Sequence, residues 1–78
     1  MQSRCVRFGN QNVEIALTAQ PLGVSDQVVT AKAFLVVKDE LEEMNLEIEG
    51  GTEDGAVQRM LNLLKKRGYD NGQEVPCR

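Results

Sequence analysis

The chain has 78 residues, 41% of them hydrophobic and 27% charged, with a net charge of −3. That length leaves room for one domain, 1–78, and the composition lies near that of ordinary folded proteins rather than disordered, collagen-like or membrane chains. Histidine and tryptophan are absent, which excludes imidazole-based activation of a nucleophile and histidine-ligated metals.

In chain order, the first eight residues are broken up by Arg4 and Arg7, unlike the unbroken apolar stretch of a secretion signal, so an intracellular, cytoplasmic setting is expected. The longest uncharged apolar stretch, 33–37, is far short of the roughly 20 residues a bilayer span needs. Residues 5–8 read as a short strand and 9–12 as a turn. Val13, Ile15 and Leu17 then alternate with polar neighbours, the period of a strand with one buried face. These two segments form a hairpin, and 20–27, with Pro21, Gly23 and Ser25, is a connecting loop.

Residues 28–38 fit two periodicities. As a strand they place Val29, Ala31, Ala33, Leu35 and Val37 on one face, with Val28, Phe34 and Val36 on the other. As a helix, Val29, Ala33, Val36, Val37, Leu41 and Met44 form a stripe. The β-branched and aromatic content favours the strand. Met44, Leu46 and Ile48 alternate with Asn45, Glu47 and Glu49 as a further strand that stops at Gly50-Gly51.

Val57, Met60, Leu61 and Leu64 follow the i, i+3, i+4, i+7 spacing of an amphipathic helix over 53–67. Thr52 caps it, Glu53 and Asp54 suit its first turn, and Lys65, Lys66 and Arg67 suit its last. Gly68 and Tyr69 fit a Schellman close. Residues 69–78 read as a C-terminal tail. The fold expected is therefore α+β, a β-β-β-β-α antiparallel meander with the helix on one sheet face; the alternative is β-β-α-β-α. Cys5 and Cys77 lie near opposite ends, and a reduced pair is preferred over a disulfide for an intracellular chain.

Charge is segregated. Residues 39–54 carry no basic residue and eight acids: Asp39, Glu40, Glu42, Glu43, Glu47, Glu49, Glu53 and Asp54. Gathered in space they make an acidic edge, which serves solubility and edge protection or docks a basic partner. Gly50, Gly51 and Gly55 lack the lysine and hydroxyl of a phosphate loop, and the acids lack calcium-loop spacing, so no metal, cofactor or catalytic residue is expected.

Val28, Phe34 and Val36, left on the face away from the helix, suggest an apolar interface with a partner or in a homodimer. Together these features point to a non-enzymatic protein-binding module, an acidic inhibitor or accessory protein of viral or mobile-element type. The alternative is a single-stranded nucleic-acid binder using Arg4, Arg7, Lys32 and Lys38 beside Phe34.

Overall fold

A computed structural model describes residues 2–77. Five strands and one helix follow in the order β1 (Gln2–Phe8), β2 (Gln11–Pro21), β3 (Gln27–Val37), β4 (Glu40–Gly50), α1 (Glu53–Lys66) and β5 (Gln73–Val75). The strands make one sheet, ordered β4-β3-β2-β1-β5, with every neighbouring pair antiparallel. The ambiguous segment is strand β3, which removes the β-β-α-β-α alternative.

Two-residue turns set the β1–β2 and β3–β4 registers, while five residues join β2 to β3. Gly9 takes a φ of 65° between Phe8 and Gln11, a conformation glycine adopts without steric cost. Between Val37 and Glu40, Lys38 and Asp39 have φ of 51° and 67°, a pair of left-handed residues of the kind that matches hairpin twist.

The alternating residues bury one sheet face. Val6, Phe8, Val13, Ile15, Leu17, Val29, Ala31, Ala33 and Leu46 share a core with Ala56, Val57, Met60 and Leu64 of α1. The helix is held at both ends. Thr52 Oγ1 accepts from the Gly55 N–H at 2.9 Å, while Gly68 and Tyr69 N–H donate to the Lys65 and Leu64 carbonyls at 3.1 and 3.0 Å. This is the expected Schellman close, with Gly68 at φ 99°. Gly50 lets the strand end meet the helix start, because a Cβ there would lie 2.7 Å from the Ala56 nitrogen.

Residues 69–77 are more than a tail. After α1 the chain crosses under Phe8, whose ring packs edge-on against Tyr69 with centroids 5.5 Å apart. It then adds β5 to the outer side of β1, and Cys77 is disulfide-bonded to Cys5, with Cα atoms 5.3 Å apart. The reduced pair expected from sequence is thus corrected: β5 pairs Val75 with Cys5 and delivers Cys77 beside it. Among the described residues no helix is long and apolar enough to cross a membrane.

Candidate functional site

β4 is an edge strand, and parity divides its side chains. Glu43, Glu47 and Glu49 stand in register with Phe34, Lys32 and Thr30 on the sheet face opposite α1, whereas Glu40 and Glu42 pair with Val37 and Leu35 on the helix side. A bulge lies between Lys32↔Glu47 and Phe34↔Glu43: Met44, Asn45 and Leu46 oppose Ala33 alone, and Asn45 takes a φ of 57°. Because three residues replace one, the offset is even, and Glu43 and Glu47 remain on the same face. All five glutamates are exposed and none makes a salt bridge with a described residue. Asp39 sits in the turn at the start of this edge.

Glu53 and Asp54 are separated from the β4 carboxylates, which corrects the expected eight-residue edge. They open α1, where Asp54 pairs with Arg4 of β1 at 3.2 Å. Asp54 thus faces an internal cation, and the acidic edge proper is the β4 set with its turn.

Arg4 is removed from the expected basic face for the same reason. It stands in register with Ile15 on the helix side, and its guanidinium also forks onto Glu74 of β5, Nε to Oε2 at 2.7 Å and a terminal nitrogen to Oε1 at 2.9 Å. The fork raises the Arg4 pKa above its ordinary value and lowers that of Glu74. Arg7 and Lys32 do lie on the open face, but Lys38 is in the β3–β4 turn. The four cations therefore make no continuous groove, and Phe34 stands opposite Glu14 and Glu43.

The apolar set also divides. Phe34 and Val36 are neighbours on the open face, with Leu41, 50% exposed, in register beside Val36. Val28 lies at the other end of β3, roughly 20 Å away at strand rise, against Gln20. All three expected residues are half-buried rather than exposed, because β2 flanks each of them and β4 also flanks Phe34 and Val36. Leu41 belongs to the patch. Its apolar side chain within an acidic segment is the signal that points to it.

Two shallow depressions mark the open face. One of about 500 Å³ lies over Ala16, Lys32, Phe34 and Leu41; the other, about 410 Å³, is bounded by Leu41 on one side and Val75, Pro76 and Cys77 on the other. Glu14 lines both. Among the described residues no charged side chain is buried, and no group of three or more acidic or cysteine side chains is placed to hold a metal ion. No protein-family model, curated protein or solved structure matches this chain.

Proposed function

We propose that the chain is a non-enzymatic protein-binding module that docks a basic partner surface on the β4 edge, with Phe34, Val36 and Leu41 supplying the apolar centre of contact. The observation that carries this reading is a run of five exposed glutamates, outside any salt bridge of the described residues, along an edge strand beside that patch. Carboxylates placed this way attract a cationic surface over a Debye length and orient its approach. The apolar strip beside them gives the contact a desolvated core. An inhibitor or accessory role of the viral or mobile-element kind suits so small an acidic chain. The disulfide favours an oxidising compartment over the cytoplasmic setting expected from sequence.

The test is a variant with Glu42, Glu43, Glu47 and Glu49 all changed to Gln, compared with the parent chain for affinity toward a partner isolated with the parent. Weaker binding, with most of the salt dependence gone and the melting temperature held or raised, is the expected result. Equal affinity and equal salt dependence contradict the reading.

A further inference from the structure

We propose that the Cys5–Cys77 bond is a redox latch: closed, it holds β5 over the outer edge of β1, and its reduction releases β5 and bares that edge. β5 is three residues long, exposed at Gln73 and Glu74 and half-buried at Val75, so it buries little apolar surface of its own. Its non-covalent ties are three register pairs with β1, the exposed Arg4–Glu74 fork, and the close fit of Gly72 under the Phe8 ring. The fork is bidentate and so worth more than an ordinary exposed pair, but it is still partly solvated and holds less than covalent closure of a long loop. The bond joins residues 72 apart in sequence, and it alone ties the end of the tail covalently to β1. Removing it restores to the tail the freedom that loop closure had withdrawn.

The two cysteines are unequally exposed. Cys77 is exposed, while Cys5 is half-buried in β1, so an incoming dithiol reaches Cys77 first. One thiolate of the dithiol attacks Cys77 Sγ, forming a mixed disulfide and expelling Cys5 as a thiolate, which takes up a proton. The second thiolate attacks the donor's own sulfur in the mixed disulfide and expels Cys77, which is protonated in turn. Two electrons and two protons pass to the protein, and the donor leaves as a cyclic disulfide.

Release has two consequences. The backbone groups of Cys5, Val6 and Arg7 that faced β5 become an unpaired edge, open to an added strand. The depression on the open face also loses Val75 and Pro76 as its wall. The latch stands independently of the docking reading for β4.

Amide hydrogen exchange of the full chain, oxidised and then with excess dithiothreitol, tests it, with Cys77→Ser as a second, reductant-free form. The expected result is exchange at residues 73–75 accelerated at least tenfold and left nearly unprotected in both open forms, while Ile15, Ala31 and Met60 lose only the share set by the fall in global stability and stay strongly protected. Unchanged exchange at 73–75 overturns the latch. So does loss of protection at Ile15, Ala31 and Met60 as complete as that at 73–75, which would make the bond a staple of the whole fold. Arg4→Gln in the oxidised chain should change exchange at 73–75 by less than threefold; a larger loss there would assign the hold to the ion pair and also overturn the proposal.

Discussion

The two edges of the sheet are finished in opposite ways. At one side β4 runs for eleven residues, bulged at Asn45 and lined with exposed carboxylates. At the other, β1 is capped by a three-residue strand, a disulfide and the Arg4 fork. A bare edge invites pairing with any other chain, and charge and bulges both discourage it. β4 is thus guarded against nonspecific strands and, on the proposed reading, left open to a cationic partner, whereas β1 is closed by a cover that covalent chemistry secures. The contrast teaches that two edges of one small sheet can be protected by different means, one by charge and a bulge, the other by a covalently held strand.

The largest effect is expected on the capped side. Cys5→Ser with Cys77→Ser removes a closure over most of the chain and should cost about 3 kcal/mol, a fall in Tm of roughly 12–24 °C by calorimetry, with the core still folded at 25 °C. On the bare side, Gly50→Ala drives a methyl into the Ala56 backbone and should cost about 2 kcal/mol, with a fall of roughly 8–16 °C. A Tm unchanged in that variant would show that the β4–α1 junction yields freely.

Lys38→Gly relieves a left-handed φ on a non-glycine residue at the start of β4. After the entropy added to the unfolded chain, about 0.5 kcal/mol of stabilisation should remain, a rise of roughly 2–4 °C. Smallest is the pH response of the cover. Glu74 has a folded pKa below its ordinary 4.5, so its contribution is present above that value and is lost as the pH falls through the lower folded one. Protection factors at 73–75, taken relative to the intrinsic rate at each pH, should therefore fall slightly below pH 4.5 in the oxidised chain, where the Arg4–Glu74 fork is made, and show no such step in the reduced chain.

Strong periodicity made some elements legible from the amino-acid order alone. Val13, Ile15 and Leu17 could bury only one face of a strand, and the apolar stripe ending in Leu64 with Gly68 and Tyr69 behind it specified both the helix and its close. β3 was ambiguous because Val29, Ala33, Val36 and Val37 satisfy both periods; β-branching resolved it correctly. β5 carried no signal, since three residues with two exposed positions show no alternation. The Cys5–Cys77 disulfide was an available reading that lost to the reduced pair, because nothing in the sequence showed that a strand would bring Cys77 beside Cys5.

The site was legible as composition but not as geometry. That Glu43, Glu47 and Glu49 would share a face with Lys32 follows from the even offset at the bulge, which only Asn45, a residue tolerant of positive φ, hinted at. Arg4 went to the helix side because strand parity places it with Val6 and Phe8, a consequence available in the alternation but outweighed by its neighbour Arg7. Leu41 was hidden among acids because a single apolar residue there needs no explanation until Phe34 and Val36 are placed beside it.

Partner contact is expected to centre on the β3–β4 side of the open face. Chemical-shift mapping of the oxidised chain, titrated with a partner isolated by it, tests that most directly. Perturbations concentrated at residues 40–49 and at Phe34 and Val36 are expected. Perturbations confined to the outer surface of α1 or to β5, with β4 unaffected, would contradict it.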